Sequence, residues 1–433
     1  MSKQTRWLSS EVDRWTAEGI VSLEQAARIR ALYVEPAGAL SWGLIVFFGL
    51  GAVIVGLGVT LLLAYNWDDI PKFGKLALIL GLTALAHAGG LRFRIHPDWR
   101  AQLGEALSLL GTMMFGAGIW LVAQVYHIDE HFPNGFLVWA LGALAMAWAL
   151  DSIVQGVLAT ILFAIWGGAE TLRFHSPAGM SALAIVIGIG PLFWRRRSAV
   201  LLATIVAAMY WLMLVNASYW AGSAGVFGNA FALAVLLIAL AKLIGEDFGR
   251  CRGVLAFFGW SGFILCAYIL SFDSAARGAL HWTYRPDVGV LALVYRWLLF
   301  VLTLAAWGWL AWRARRGERE PVPREEWLCP IALLYAQGLR LFQRGEAGFV
   351  AVVFNLVCLA LAAAWMVRGC REGRLRPTVV GSLLLSAVLL ARYFDLFDSL
   401  ALRGVAFLIL GGVLFAEGFY YRKLRRAEAE GGA

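Results

Sequence analysis

Four arginines lie within long apolar runs of the sequence, where an ionisable side chain is costly and is a candidate for function. They are Arg296, Arg340, Arg392 and Arg403. Their guanidinium groups could bind a phosphate or a carboxylate through paired N–H donors. The alternative is structural: long side chains that reach the membrane surface and form interfacial ion pairs there.

Acidic and polar residues follow the apolar runs at the same predicted level as these arginines. Together they predict a pocket that opens to the periplasm and binds a lipid or an anionic small molecule. No catalytic residue, metal ligand or cofactor is predicted. Besides the arginines, the candidate binding residues are Asn66, Trp67, Asp68, Asp69, Gln124, Tyr126, Asp129, Tyr393 and Asp395.

One short motif could bind a metal. Residues His127 to His131 match H-x-x-E-H, the inverted zinc-protease pattern. A zinc site would need both histidines on one continuous helix and a third ligand elsewhere. Pro133 follows closely, so we expect a helix to end here and the motif to form an interfacial loop. The nucleophile-elbow, P-loop and dinucleotide-binding motifs do not occur in the sequence.

The composition indicates the class of protein that must position these residues. Of 433 residues, 61% are hydrophobic and 15% are charged, whereas a soluble domain is about half apolar and a quarter charged. The chain is therefore predicted to be an all-α integral membrane protein. The net charge of +9 arises from short basic clusters between apolar runs, which is an orientation signal and not a nucleic-acid footprint.

Apolar runs long enough to cross a bilayer predict about fourteen transmembrane helices. The eleventh is the weakest, because it is short and contains Arg340. The candidate spans are 40–64, 73–91, 103–124, 135–150, 152–170, 179–194, 199–217, 227–244, 253–271, 289–311, 328–342, 347–367, 377–394 and 401–420.

The distribution of basic residues predicts the orientation of these spans. With the N-terminus in the cytoplasm, the cytoplasmic segments contain the large majority of the Lys and Arg residues, as the positive-inside rule requires. Omitting the eleventh span would export the basic residues that follow it. We therefore predict a bacterial inner-membrane protein with both termini in the cytoplasm. The periplasmic segments hold only Lys72, Lys75, Arg173, Arg277, Arg285 and Arg344.

Three regions are predicted from these patterns. Residues 1–39 form a cytoplasmic amphipathic helical hairpin, in which Ser10 caps a first helix that stops at Gly19. Ser22 and Gln25 form a capping box for the second helix. Residues 40–420 form the transmembrane bundle, and 421–433 form a basic cytoplasmic tail. In the tight turn at Asp151 and Ser152, we expect a helix cap.

A repeat links two predicted hairpins, 40–91 and 103–150. GAVIVGLG begins at Gly51 and GTMMFGAG begins at Gly111, and each is followed by a tyrosine and an acidic segment. Glycines at this spacing are typical of close helix packing in membranes. Repeats in membrane proteins often frame a binding site, which favours a site at the equivalent ends of these hairpins.

The same segments resemble a known family. The run GLGVTLLLAYNWDDIPKFGKLAL, the Gly19–Ile20 turn, GAGIWLVAQVYHI at 116–128 with LVWALGAL after it, and ARYFDLFDSLALRGVAFLILGG at 391–412 are similar to predicted membrane proteins called domain of unknown function 2157. The resemblance implies a polytopic membrane protein. It implies no reaction.

Three functions remain open from the sequence. The first is a transporter or flippase for an anionic or lipid-linked envelope compound, although buried polar residues are expected to become sparse toward the cytoplasm, which counts against transport. The second is a non-catalytic scaffold or sensor that signals through residues 1–39. The third is a membrane-embedded transferase or ligase with a lipid-phosphate donor, in which Asp68, Asp69 or Asp129 acts beside the arginines.

Overall fold

The computed structural model describes residues 3–32, 71–96, 98–127, 131–176, 179–216, 223–245, 248–280, 290–317, 322–342 and 346–396, with single residues at 47, 50, 51, 54, 55, 58, 61, 408 and 412. Every regular element in these ranges is helical and none is a strand. This agrees with the all-α prediction. It follows from the apolar composition, because a backbone in lipid must form its hydrogen bonds within each segment.

The described ranges contain the following α-helices in chain order. They are α1 (Lys3–Ala17), α2 (Leu23–Leu32), α3 (Lys72–Arg94), α4 (Trp99–Tyr126), α5 (Pro133–Ala149), α6 (Ile153–Phe174), α7 (Gly179–Ala184), α8 (Gly190–Arg196), α9 (Ala199–Val215), α10 (Ser223–Leu243), α11 (Arg250–Leu270), α12 (Asp273–Leu280), α13 (Val290–Arg315), α14 (Leu328–Phe342), α15 (Ala347–Arg371) and α16 (Leu375–Leu396).

Seven helical segments in the described ranges are long and apolar enough to cross a membrane. Three shorter apolar helices also occur, Pro133–Ala149, Ala199–Val215 and Phe227–Leu243. Two of the predicted spans, 40–64 and 401–420, lie almost entirely outside the described residues, as does the predicted tail 421–433. The seven segments are Lys72–Arg94, Trp99–Tyr126, Ile153–Phe174, Arg250–Leu270, Trp297–Arg315, Ala347–Arg371 and Leu375–Arg392.

The chain forms two compact units, Met1–Leu162 and Phe163–Ala433. In the first unit, α3 and α4 pack through glycines: a Cβ atom at Gly104 would lie 2.6 Å from the backbone nitrogen of Arg94 and 2.7 Å from the carbonyl oxygen of Gly90. The two backbones can approach this closely because glycine at 104 and at 90 leaves no Cβ atom between them.

The second unit packs α10, α11 and α15 around three buried phenylalanines. The ring of Phe231 stacks on Phe263 at 5.1 Å and meets the edge of Phe354 at 5.9 Å. On α15, Phe354 is fully buried whereas Phe349 and Leu356 are 61% and 59% exposed. A helix that is apolar on both its buried and its exposed face suits lipid and not water.

Two local predictions can be compared with the helix ends. Ser22 and Gln25 exchange hydrogen bonds at the start of α2, as the capping box requires. The prediction for Ser10 is wrong: α1 already begins at Lys3, and the Ser10 hydroxyl donates to the carbonyl oxygen of Trp7 within the helix. A serine in a helix interior can bond to the preceding turn, so its residue type alone did not identify a cap.

A π-helical segment, Ile185–Ile189, joins α7 to α8 within the predicted span 179–194. The backbone N–H of Gly190 donates to the carbonyl oxygen of Ile185, and Pro191 follows without an N–H of its own. Because proline interrupts the regular ladder, the wider hydrogen-bonding pattern just before it satisfies the remaining groups.

Candidate functional site

Arg392 lies near the end of α16 and is partly buried against two other helices of its unit. Its Nε donates to Oδ1 of Asn355 over 3.1 Å. Its Nη2 donates to the carbonyl oxygen of Ser271 over 2.6 Å and to the Ser271 hydroxyl over 3.1 Å. These bonds fix the plane of the guanidinium group. We call Arg392, Asn355, Ser271 and Phe272 the Arg392 cluster.

The elements around Arg392 explain why it is held here. Ser271 follows the last residue of α11, where carbonyl groups lack partners in the helix and the dipole is negative. A guanidinium group satisfies such carbonyls and neutralises that partial charge. Asn355 on α15 also donates to the Ser271 carbonyl, over 3.0 Å. The Phe272 ring lies 4.6 Å from the Arg392 Cζ atom, close enough for a cation–π contact.

A guanidinium group oriented in this way can bind an anion. Arginine presents donors in a rigid fork that matches the oxygens of a phosphate or a carboxylate. The described bonds use Nε and Nη2 of Arg392 and hold the guanidinium group in one orientation, which reduces the entropy lost on binding. The arrangement therefore holds a positive charge in place for an anion, and a bidentate contact with a phosphate or carboxylate would have to displace one of these bonds.

The structure describes only some of the predicted binding residues. Gln124 and Tyr126 lie in the last turn of α4, in the first unit, and both are exposed. The helices α13, α14 and α16 contain Arg296, Arg340, Tyr393 and Asp395, whose side chains lie outside the described part. The remaining predicted residues lie wholly outside the described ranges: Asn66, Trp67, Asp68, Asp69, Asp129 and Arg403.

Sequence reasoning identified Arg392 but not its partners. Asn355 lies within an apolar run and donates to the carbonyl oxygen of Ala351 in its own helix. It also accepts from Arg392. Ser271 and Phe272 were not identified. The only signal in the sequence was the Asn355 amide within an apolar run. The rotation of α15 against α16 decides which residue that amide contacts.

A second charged cluster lies at the opposite end of α15. The Lys242 Nζ atom is 2.6 Å from Oε2 of Glu326, whose side chain is only 9% exposed. Nη1 of Arg368 is 3.2 Å from Glu325 and 3.6 Å from Glu326. We call these residues the Lys242–Glu326 cluster. It joins α10 and α15 to the short 3₁₀ helix Arg324–Trp327.

The residues at the edge of the Lys242–Glu326 cluster are more exposed than Glu326. Nε of Arg368 donates to the Glu372 carboxylate over 2.8 Å, and Arg374 lies 3.1 Å from the same carboxylate. The hydrogen bond from Arg368, with the charges of both arginines, lowers the pKa of the Glu372 carboxyl. Glu372 therefore stays ionised to a lower pH than a glutamate without these neighbours.

The first unit has its own polar cluster at the ends of α3 and α5. Arg94 pairs with Glu105, and its Nη2 donates to the carbonyl oxygen of Leu150 over 2.6 Å. The Ser152 hydroxyl donates to Glu105 and accepts from the backbone N–H of Gln155, so the predicted cap on α6 is formed by Ser152. The cluster ties the α5–α6 turn to α3 and α4.

These two clusters bear on one expectation from the sequence. On the predicted topology both lie toward the cytoplasm, where buried polar residues were expected to be sparse. The basic members Arg94, Lys242 and Arg368 were counted as orientation signals, yet each pairs with a partly or largely buried carboxylate. The signal that could have identified them is the acidic residue within a basic or apolar segment, such as Glu105 or Glu326.

The H-x-x-E-H motif does not lie on one helix. Helix α4 ends at Tyr126, and His127 adopts a left-handed backbone with φ of 52°. Residues 128–130 lie outside the described part, and His131 precedes α5. Among the residues that the structure describes, no group of three or more His, Cys, Asp or Glu side chains could bind a metal ion.

Comparison with known families gives one match. Residues 13–156 match the family described as Predicted membrane protein (DUF2157). The resemblance is thus confirmed over residues 13–156, which are similar to that family. No curated protein and no solved structure matches the chain. The DUF2157 segment includes α3, α4 and α5 and ends just after the Arg94–Glu105–Ser152 cluster. The similarity predicted at 391–412 lies outside it.

Proposed function

We propose that this chain is a transporter- or flippase-like protein for an anionic or lipid-linked envelope compound. The observation that carries the proposal is the Arg392 cluster, in which neighbouring helices hold a guanidinium group in one orientation. An arginine within an apolar helix is costly unless it serves packing or binding. Its positive charge suits a phosphate or carboxylate, which is the group that such a compound presents.

Helix α15 provides the second support for transport. Asn355 of the Arg392 cluster and Arg368 of the Lys242–Glu326 cluster lie on this one helix, separated by about 20 Å at about 1.5 Å of rise per residue. Buried apolar residues such as Leu361 and Ala362 separate them. An alternating-access carrier must accept its substrate from both faces of the membrane, and this helix contributes a polar residue to a cluster toward each face of the proposed topology.

We further propose about fourteen spans with both termini in the cytoplasm of a bacterial inner membrane. In this topology Arg392 lies toward the periplasm. Gln124 and Tyr126 lie at the periplasmic end of their own predicted span. The partner of the chain is the lipid bilayer. The helix Leu328–Phe342 supports it, because a helical segment stands where the weak eleventh span is required.

Lipid translocation in vesicles tests the role of Arg392. The full chain is reconstituted with a fluorescent short-chain phosphatidylglycerol or phosphatidylcholine, and quenching of the outer leaflet follows movement of the probe. We expect the protein to accelerate the anionic probe selectively. Arg392→Ala should reduce this rate at least about tenfold, because a hydrogen bond to a charged group contributes about 1.5–3 kcal/mol. Arg392→Lys should retain part of it, since charge remains without the fork.

Arg277→Ala is the matched control. Arg277 is also an arginine of the second unit, but its side chain is 64% exposed and pairs with Asp273 on the same helix. Its removal should leave translocation unchanged. The proposal is wrong if vesicles with the unsubstituted protein move the anionic probe no faster than protein-free vesicles, or if Arg392→Ala behaves like Arg277→Ala.

A membrane scaffold or sensor is the second candidate, favoured by the N-terminal helices. In the segment that includes α1 and α2, three large apolar side chains are exposed: Trp7 by 59%, Ile20 by 64% and Leu23 by 81%. Such residues suit docking to a partner or to the membrane surface. Deleting residues 1–35 should then change the proteins that co-purify with the chain, and unchanged partners and localisation would argue against this candidate.

A transferase or ligase has less support. It would require Asp68, Asp69 or Asp129 within reach of the same substrate as Arg392. These acids lie outside the described residues, so this alternative stays a prediction from the sequence.

A further inference from the structure

A cavity of about 420 Å³ lies in the first unit among α3, α4 and α5. Its walls are almost wholly apolar, with Ile79 and Leu80 from α3, Phe115 and Ile119 from α4, and Val138 from α5. Thr83 also lines it, but the Thr83 hydroxyl donates to the carbonyl oxygen of Ile79 in its own helix. Cavities of this size and apolar lining are typical of small-molecule sites.

The polar groups of the cavity are confined to one end. His131 and Asn134 line it where α5 begins, beside the end of α4 at Tyr126. From there the lining runs along α4 from Ala123 to Phe115, which is about 12 Å at the rise of an α-helix. The cavity therefore has a polar mouth at the helix ends and an apolar body within the helical bundle.

Two glycines create the space. Gly118 of α4 and Gly135 of α5 both line the cavity. A Cβ atom at Gly118 would lie 3.5 Å from Ile79, in ordinary contact, and one at Gly135 would lie 3.1 Å from the Trp120 ring. Larger side chains at either position would occupy the cavity, so its volume depends on these residue types.

The surroundings indicate what occupies it. Helices α3 and α4 are both long and apolar enough to span a membrane, so the helix ends at the mouth lie where lipid headgroups meet lipid chains. In the preceding apolar stretch of the chain, the described residues Phe47, Leu50 and Leu61 are more than half exposed and do not fill it. An apolar cavity with a polar mouth at this depth matches one chain of a membrane lipid.

We propose that this cavity binds one acyl chain of a phospholipid from the surrounding bilayer, with the ester and phosphate oxygens of that lipid at His131 and Asn134. Burial of the chain against Ile79, Phe115 and Trp120 supplies the affinity, since each buried methylene group contributes favourably. His131 and Asn134 supply polar atoms for the headgroup region. The site lies in the DUF2157 segment and is separate from the Arg392 cluster.

Photo-crosslinking tests this site in the full chain. The protein is reconstituted in vesicles with phosphatidylglycerol that has a diazirine at the end of one acyl chain, and labelled peptides are identified by mass spectrometry. We expect stronger labelling of the segment 115–119 and of Val138, at the end of the cavity away from its mouth, than of the peptide with Leu85, whose 71% exposed side chain reports bulk lipid contact. Excess unlabelled phosphatidylglycerol should suppress labelling of the cavity first.

Gly118→Leu should fill the cavity and reduce its labelling at least about tenfold, because more than one methylene group of the lipid chain is displaced. Gly81→Leu is the matched control: Gly81 is an exposed helical glycine of α3, and a Cβ atom there would meet nothing within 4 Å. Its labelling should equal that of the unsubstituted protein. Both substitutions favour the helix, since leucine is a better helix former than glycine.

Val138→Phe also fills the cavity, from α5, and is the alternative test if the Gly118→Leu variant does not fold. Val138 is already 47% exposed, so this position tolerates a larger side chain. The proposal is overturned if the unsubstituted protein labels the cavity segments no more than the Leu85 peptide, as it would if protein filled the space. Unchanged labelling in a folded cavity-filling variant overturns it equally. Neither result depends on Arg392 or on translocation.

Discussion

Glu326→Ala is expected to destabilise the second unit by about 3 kcal/mol, which is the lower part of the range for removing one partner of a buried ion pair. The Glu326 side chain is 9% exposed and lies 2.6 Å from Lys242, whose side chain is 24% exposed. Removing the carboxylate leaves the Lys242 ammonium group in a place with little access to water. Arg368 loses one of its acidic neighbours at the same time.

The free energy of unfolding in mixed micelles of increasing SDS content measures this effect. Arg277→Ala is the control, because the Arg277–Asp273 pair is largely exposed and should contribute less than about 1 kcal/mol. If Glu326→Ala and Arg277→Ala lower stability equally, the Lys242–Glu326 cluster is a surface feature and the burial argument is wrong.

A double substitution separates the cost of an unpaired charge from the value of the pair. Lys242→Met with Glu326→Met should recover most of the lost stability, because replacing both members of a buried pair by apolar residues is often neutral or favourable. If the double variant is stable but translocates the anionic probe more slowly, the pair serves transport and not stability. If it is as unstable as Glu326→Ala, other contacts of Glu326 carry the energy.

The positions of the helices could be predicted because a single strong constraint acts on them. The predicted span 73–91 corresponds to the helix Lys72–Arg94, and 347–367 corresponds to Ala347–Arg371. In lipid, an apolar run of sufficient length satisfies its backbone only as a helix. This constraint does not depend on which face of the helix meets a neighbour. Hydropathy alone is therefore sufficient to predict where the helices lie along the chain.

The contacts of individual side chains could not be predicted, because they depend on helix rotation. The glycines of GTMMFGAG were interpreted as sites of close backbone approach. In the structure, a Cβ atom at Gly111 would lie 2.8 Å from the His87 ring, and Gly116 faces the ring of Trp139. These two glycines make room for aromatic side chains. The backbones instead approach at Gly90 and Gly104, whose spacing shows no motif.

The same difference between predictable positions and unpredictable contacts applies to the candidate site. The position of Arg392 within an apolar run was enough to identify it, because the cost of a charge in lipid depends on local sequence. Its bonds to Asn355 and Ser271 depend on how α15 and α16 pack against each other and against α11, which is far from them in sequence. A polar residue within an apolar helix therefore predicts that a partner exists without indicating which residue it is.

Gly104→Val is expected to separate α3 from α4 and to abolish the native fold of the first unit. The added atoms would meet the backbone nitrogen of Arg94 at 2.6 Å and the carbonyl oxygen of Gly90 at 2.7 Å, and backbone in the middle of a contact cannot move aside as a side chain can. Overpacking of a core typically costs about 1–3 kcal/mol, and a backbone clash lies at or above the top of that range.

The separation would also break the Arg94–Glu105–Ser152 cluster, because Glu105 is next to Gly104 and Arg94 is on the facing helix. The yield of monodisperse protein after membrane extraction and the unfolding free energy both measure the result. Gly81→Val provides the comparison, since the same change occurs at an exposed glycine of α3 with no neighbour within 4 Å. Equal behaviour of the two variants would mean that the cost arises from valine in a helix and not from the α3–α4 contact. A large loss only in Gly104→Val would assign it to the contact between the two backbones, on which the cavity among α3, α4 and α5 also depends.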